Sequence, residues 1–143
     1  MSRPLYESQS DRDNEQRLAD VIQSKHNCVL HKMPIKLSLD YMATRNGKAV
    51  AFFEMRQRKN KMHAYPTYMI SLYKVMMANN LTLTTGLPCF LAVQWSDAAG
   101  VCNLPQEYDE QYVQMGGSTQ RGDPQDIEPM VYFAMDKFMS LGA

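Results

Sequence analysis

Two acidic residues lie in predicted strands at positions where a carboxylate can take part in chemistry. Asp40 falls in an alternating segment, residues 36–44, that predicts a strand, and Glu54 ends the apolar part of a second predicted strand, residues 49–57. A buried carboxylate is unfavourable unless it is paired, protonated or bound to a cation. Two carboxylates that meet from adjacent strands form an oxygen-rich site suited to Mg²⁺ or Mn²⁺, which keep several waters for contact with a substrate.

A third acid, Glu15, belongs to a predicted helix that begins at Ser10 or Asp11 and ends near residue 26. It precedes Leu18 and Ile22 of the apolar stripe by three and seven residues, which places it on or beside the face that packs inward. Two interpretations stay open. Glu15 supports a metal site, or it is an acid near the start of a helix that favours the helix dipole.

The hairpin between the two strands decides which face of the sheet each acid occupies. The Asn-Gly pair at residues 46–47 predicts a tight primed turn. A two-residue turn pairs Asp40 with Phe53 and Glu54 with Leu39, so the two acids point to opposite faces. A shared metal site therefore requires one bulged residue or a longer turn, which brings residue 40 opposite residue 54.

The pattern along the chain predicts one helix, three strands, a second helix and a further strand, followed by a polar segment. Because 45% of the residues are hydrophobic, a chain of 143 residues can bury its own core, and we expect one domain over residues 1–143 with residues 1–9 flexible. The other predicted elements are a strand at 28–33, a helix from 65–67 to about 79, strands at 89–95 and 98–103, a polar excursion at 104–129 with one strand near 112–115, a strand at 130–133 and a helical turn at 136–141.

Cysteine spacing and hydropathy exclude several classes of protein. The three cysteines are an odd number at scattered positions, so neither a disulfide framework nor a zinc site is indicated. The sequence holds no apolar run long enough for a membrane span, and its first residues lack the apolar stretch of a signal peptide. We therefore expect a soluble, cytoplasmic protein with reduced thiols.

Charge is balanced over the whole chain but is unevenly distributed. Residues 45–61 carry six bases against the single acid Glu54, whereas residues 104–143 carry seven acids and two bases. A local basic strip can hold a phosphate backbone, although a solvated hairpin end explains it equally. The predicted nucleic-acid-binding residues are Arg45, Lys48, Arg58, Lys59 and Lys61, and the aromatic residues that either stack on bases or pack internally are Tyr65, Tyr68 and Trp95.

The stretch formed by Leu39-Asp40, the Asn-Gly turn and residues 53–59 resembles the core of PD-(D/E)XK nucleases, particularly archaeal Holliday-junction resolvases and small phage nucleases. The resemblance covers residues 15–95. It implies an α/β fold with a restriction-endonuclease-like core, in which helices flank a central mixed sheet of about four to six strands. In that family an acid from the first helix, the strand aspartate and the glutamate of the ExK motif hold one or two metals, and Glu15, Asp40 and Glu54 match these acids.

The chain departs from the family pattern at the motif lysine, which is Arg56 here. Arginine can hold a phosphate and stabilise developing charge, but it stays protonated near neutrality and is a poor proton relay. Either Arg56 has a purely electrostatic role, or a lysine arrives from elsewhere, or catalysis has been lost. Lys74 in the following helix is the best substitute, and Lys59 and Lys61 are looser candidates.

The resemblance implies a metal-dependent DNA endonuclease or junction-resolving enzyme that uses Mg²⁺ or Mn²⁺. Its expected catalytic residues are Asp40, Glu54, Arg56 and Lys74. Its expected partners are branched or duplex DNA and a second copy of the chain, in the host cytoplasm if the protein is encoded by a phage. The main alternative is a nuclease fold that no longer cleaves and binds or inhibits nucleic acid or a host protein. A third is that the two strand acids are structural and pair with Lys36 or Arg56.

Overall fold

The computed structural model describes residues 9–33, 39–104, 113–117 and 127–142. These residues form two helices and nine strands. The helices are α1 (Gln9–His26) and α2 (Leu72–Thr85). The strands are β1 (Val29–Lys32), β2 (Tyr41–Arg45), β3 (Lys48–Gln57), β4 (Thr67–Ser71), β5 (Cys89–Gln94), β6 (Ala99–Leu104), β7 (Val113–Gly117), β8 (Ile127–Ala134) and β9 (Met139–Ser140).

The main sheet has six strands in the order β1-β2-β3-β5-β6-β9. Strands β3 and β5 are parallel, and the other neighbouring pairs are antiparallel, so the sheet is mixed. The apolar strand β3 lies in the interior of the sheet, between β2 and β5, where both of its faces are covered. Asn46 and Gly47 have φ values of 53° and 76°, as the predicted primed turn requires. The predicted α/β fold with a mixed central sheet is confirmed.

The second predicted helix begins later than expected. Residues 67–71 form strand β4, which pairs with β8 in a smaller sheet of order β4-β8-β7. Tyr68 and Ile70 are buried with the alternation of a strand, and the helix starts only after Ser71, whose Oγ accepts a hydrogen bond from the N–H of Tyr73. The prediction of a helix from residues 65–67 was therefore wrong. The spacing of the apolar residues fits the period of a helix and that of a strand, and hydrogen bonding to β8 makes this segment a strand.

The end of the chain also differs from its prediction. Instead of a helical turn at 136–141, a 3₁₀ turn at Met135–Lys137 is followed by β9, which pairs with β6. The N–H of Leu141 donates to the carbonyl oxygen of Ala99, which fixes this end against the main sheet. Within the predicted excursion 104–129, the structure describes β7 and the start of β8. Residues 1–9 were predicted to be flexible, but Gln9 begins α1. Residues 1–8, residues 34–38, which include Lys36, and the rest of that excursion lie outside the described residues.

Two apolar clusters lie on opposite faces of the main sheet. On one face α1 packs through Leu18 and Ile22 against a cluster that includes Phe53 and Met55 of β3. On the other face α2 packs through Val75 against a cluster that includes Phe52. Because side chains alternate along a strand, Glu54 and Arg56 share the α2 face with Phe52. Glu54 therefore lies on the face of the main sheet that α2 covers.

The three cysteines are free, and Cys89 and Cys102 are buried. Burial raises the pKa of the Cys102 thiol to about 12, so this side chain stays protonated in the core. The helices of the described segments are too short or too polar to cross a membrane.

Candidate active site

A β-bulge sets the register that brings the two strand acids together. Strands β2 and β3 pair Thr44 with Ala49 beside the turn but Ala43 with Ala51 one step farther along, so Val50 has no partner. The extra residue shifts all later pairs by one position. The predicted bulge is confirmed, and extending the shifted pairing beyond its last pair brings residue 40 level with residue 54.

Asp40 is fixed by the backbone of β3 on either side of Glu54. Its N–H donates to the carbonyl oxygen of Phe53 over 2.9 Å, and its Oδ2 accepts a hydrogen bond of 2.8 Å from the N–H of Met55. The Asp40 carboxyl also lies close enough to that of Glu54 to affect its pKa. The two carboxyl groups therefore converge on one site, as the sequence predicted.

Glu54 is the buried acid of this pair, with only 2% of its surface exposed. Burial raises the pKa of its carboxyl from 4.5 to about 7. The charge of Arg56 opposes this shift, the neighbouring Asp40 carboxylate adds to it, and Lys74 opposes it more weakly. Near neutral pH the Glu54 carboxyl therefore gains and loses a proton, and a cation bound beside it favours the charged form.

Each carboxylate oxygen of Glu54 contacts a different cation. Arg56 Nη2 lies 2.7 Å from Oε2, and Lys74 Nζ lies 3.4 Å from Oε1. Lys74 arrives from the first turn of α2, because the Ser71 cap starts that helix directly above the sheet. Burial lowers the pKa of Arg56, but the nearby Glu54, Tyr68 and Asp40 together outweigh this and the net direction is upward, so Arg56 stays a cation. The structure thus brings together Asp40, Glu54, Arg56 and Lys74.

The structure does not bring Glu15 to the other two acids. Its Oε1 lies 2.5 Å from Nζ of Lys32, and that ammonium lies 5.1 Å from the centre of the Tyr41 ring. Tyr41 belongs to the cluster on the α1 face, whereas Glu54 faces α2, so the sheet separates Glu15 from the carboxyl pair. Over residues 9–33, 39–104, 113–117 and 127–142, no three side chains of His, Cys, Asp or Glu are grouped to hold a metal. The expected three-acid cluster is therefore not formed.

The predicted basic strip is divided between the two ends of β3. Arg45 and Lys48 flank the hairpin, and a strand of ten residues separates them from the bases that follow Gln57. At the usual rise per residue this is about 30 Å. Arg45 also has a structural role, because its Nε and Nη2 donate to the carbonyl oxygens of Asn27 and His26 at the end of α1. The structure therefore divides these bases into two groups, and their binding of a phosphate backbone stays a prediction.

The bases nearer to Glu54 are Arg58, Lys59 and Lys61, just beyond the other end of β3. The Arg58 guanidinium lies 4.7 Å from the centre of the Tyr68 ring and donates to the carbonyl oxygen of Gln57. Lys59 and Lys61 are exposed. This end of the strand combines surface cations with the buried carboxyl pair, whereas the hairpin end does not.

Two of the aromatic residues that were candidates for base stacking are buried. Tyr68 is 3% exposed and Trp95 is 2% exposed, so neither ring offers a face to a nucleic acid. Tyr65 is 61% exposed, so its ring can stack on a base. The sequence named Tyr68 only as a candidate for base stacking, whereas the structure packs its ring against the main sheet near Arg56 and Arg58. The available signal was its alternation with Ile70, which is typical of a strand.

Comparison with known proteins agrees with this geometry. The family described as "Phage putative PDDEXK endonuclease" matches residues 1–141. No curated protein matches the chain. Among solved structures, the fold is similar to that of Hjc, a Holliday junction resolvase from the archaeal hyperthermophile Archaeoglobus fulgidus, with a TM-score of 0.55 and 10% identity over 90% of this chain and 89% of that one. At this identity the likeness concerns the fold, and it confirms the restriction-endonuclease-like core. The chain belongs to the phage PDDEXK endonuclease family.

Proposed function

We propose that this protein is a metal-dependent endonuclease that hydrolyses phosphodiester bonds in branched or duplex DNA. The observation that carries the proposal is the convergence of Asp40 and Glu54 on one face of the sheet, with a cation against each oxygen of Glu54. Membership of an endonuclease family supports it, since PD-(D/E)XK nucleases generally use divalent metals. The likeness to a junction resolvase makes branched DNA a substrate to test.

The donor set fits Mg²⁺ or Mn²⁺. Asp40 and Glu54 would hold the ion through hard carboxylate oxygens, and two protein ligands leave positions for water and for a substrate oxygen. A bound ion lowers the pKa of water and neutralises charge on the scissile phosphate. The raised pKa of Glu54 also fits, because a divalent charge beside this buried carboxyl would favour its ionised form.

Arg56 and Lys74 have separate roles in this proposal. Arg56 remains charged, so it binds phosphate and stabilises negative charge but does not move a proton. Lys74 carries an ammonium that can give up and regain a proton, and it lies at the carboxyl pair. We infer that Lys74 orients the attacking water or transfers its proton. In the family this role belongs to the motif lysine, which is Arg56 here.

A binding module without cleavage is the competing function, and Arg56 at the motif lysine is the observation that favours it. Both functions use the same cations to hold phosphate, so cleavage itself must decide between them. The host cytoplasm as the place of action and a homodimer as the acting form are parts of the proposal that rest on the resemblance to phage nucleases and junction resolvases.

The test is cleavage of linear, branched and single-stranded DNA by the wild-type protein with Mg²⁺, with Mn²⁺ and with EDTA. Asp40→Ala and Glu54→Ala remove the two acids, and Lys48→Ala is the control at the distant end of β3. We expect metal-dependent cleavage that both acid variants abolish and the control retains. Metal-independent DNA binding without cleavage would establish the binding module instead. Absence of both binding and cleavage would leave the acids with a structural role.

A further inference from the structure

Unpartnered buried donors gather on the face of the sheet that carries Glu54. Four buried side-chain atoms in the described segments have no hydrogen-bond partner, namely Arg56 Nε, Gln57 Nε2, Tyr68 Oη and Trp95 Nε1. Three of them belong to one side of the sheet, since Tyr68 and Trp95 share the α2-side cluster and Arg56 alternates with Glu54. Each such group loses about 1–3 kcal/mol of hydration without compensation. Tyr68 and Arg56 lie close enough to interact electrostatically, so their two unpartnered donors can serve a common acceptor.

The Tyr68 ring is held in place by contacts that do not involve its hydroxyl. It packs edge-on against Trp95 with ring centres 6.2 Å apart and against Phe138 at 5.7 Å. The Arg58 guanidinium covers its face at 4.7 Å. A phenylalanine ring would keep all three contacts, so the packing of this site does not explain why position 68 carries a hydroxyl.

The charges around Tyr68 favour an anion as the acceptor. Arg58 covers the Tyr68 ring and Arg56 also acts on its hydroxyl, whereas Lys74 contacts Glu54, so three cations accompany the two carboxyl groups of Asp40 and Glu54 on this side of the sheet. Burial raises the pKa of Tyr68, so its hydroxyl keeps its proton and remains a donor. The Arg56 side chain is 34% exposed, and an anion that reaches it from solvent approaches the same group of donors.

We propose that Tyr68 is a further catalytic residue, whose hydroxyl together with Arg56 Nε–H donates hydrogen bonds to a non-bridging oxygen of the DNA phosphate at this site. The inference rests on the proposed endonuclease function and adds a specific substrate contact to it. Hydrogen bonds to an ionised acceptor are shorter and stronger than those between neutral groups. Because negative charge on the phosphoryl oxygens changes during attack, the contact contributes most in the transition state.

Tyr68→Phe tests the inference because it removes the hydroxyl and keeps the ring. We expect kcat for DNA cleavage to fall by about tenfold or more with KM little changed, as for loss of one oxyanion donor. The Tm measured in EDTA should stay equal or rise, because an unpartnered buried hydroxyl has been replaced by an apolar edge. Tyr73→Phe is the matched control, since Tyr73 lies on the exposed side of α2 and is 61% exposed.

Two results would overturn the inference while the proposed function stands. One is a Tyr68→Phe variant that cleaves as fast as the wild type. The other is a variant whose lower kcat is accompanied by a lower Tm, which assigns the hydroxyl a structural role. A wild-type protein that cleaves no DNA with either metal overturns the proposed function and this contact with it.

Discussion

Lys74 Nζ lies 3.4 Å from Oε1 of Glu54, twenty residues away along the chain. The contact depends on Ser71, which ends β4 and caps the N-terminus of α2. Because the helix begins at Leu72, Lys74 lies in its first turn. Arg56 contacts the other oxygen of Glu54 from the same strand as the acid. A permanent cation and an amine therefore share one carboxylate, and substitutions can separate their roles.

Substitution of Lys74 tests whether the amine takes part in chemistry. We expect Lys74→Ala to lower the single-turnover cleavage rate by about 10²-fold or more, the usual contribution of a positioned proton donor or acceptor. Lys74→Arg keeps the charge near Glu54 but removes a group that can give up its proton, so it should be almost as slow. Lys48→Ala should cleave like the wild type. A Lys74→Arg variant with full activity would assign Lys74 an electrostatic role only.

The buried Glu54 makes stability depend on pH in a direction that can be worked out. Its pKa is about 7 in the folded protein and 4.5 ordinarily, so its contribution to stability is present below about pH 4.5 and is lost as the pH rises through 7. Glu54→Gln removes this titration. In EDTA, we expect the stability of the variant relative to wild type to increase by about 3 kcal/mol between acid and mildly alkaline pH. Thermal or urea unfolding at several pH values measures it.

A control is needed because any loss of negative charge changes stability slightly. Asp20→Asn, on the exposed side of α1, removes one acid far from the site. If Glu54→Gln and Asp20→Asn show the same dependence of relative stability on pH, the pKa of Glu54 is not raised by burial. Burial would then not disfavour the charged form of Glu54.

The bulge at Val50 shows what alternation of side chains can predict. With a two-residue turn at 46–47, strand alternation places Asp40 and Glu54 on opposite faces of the sheet. A shared site therefore required one extra residue between them, which follows from the turn and the alternation alone. The start of α2 could not be found in this way. Residues 67–71 fit a helix or a strand equally, and the choice was made by pairing with β8, which is distant in sequence.

Glu15 and the basic residues show a second limit, which concerns faces and distances. Helical spacing placed Glu15 near the inward side of α1, but it could not tell which face of the sheet α1 covers. A run of bases in sequence likewise becomes two groups once β3 extends between Lys48 and Gln57. The position of Arg45 at the end of α1 depends on a tertiary contact that no local pattern contains.

The division of the bases predicts which of them hold DNA. We expect the double variant Lys59→Ala/Lys61→Ala to bind duplex DNA more weakly and to lower the slope of log affinity against log salt by about 1–2, one unit for each lost phosphate contact. Lys48→Ala should change neither quantity, because Lys48 lies at the hairpin end of β3. Fluorescence anisotropy over a range of salt concentrations measures both. Equal effects from the two ends would mean that the DNA path follows the whole length of β3.

Arg56→Lys distinguishes an active enzyme from a fold that has lost catalysis. If Lys74 already supplies the amine, a second lysine at position 56 adds nothing that the reaction lacks, and we expect the cleavage rate to stay within about tenfold of wild type. Arg56→Met, which leaves Glu54 with one of its two cations, should reduce both cleavage and stability. If instead the wild type only binds DNA and Arg56→Lys gains metal-dependent cleavage, then Arg56 is the residue that ended catalysis, and Lys74 does not replace the motif lysine.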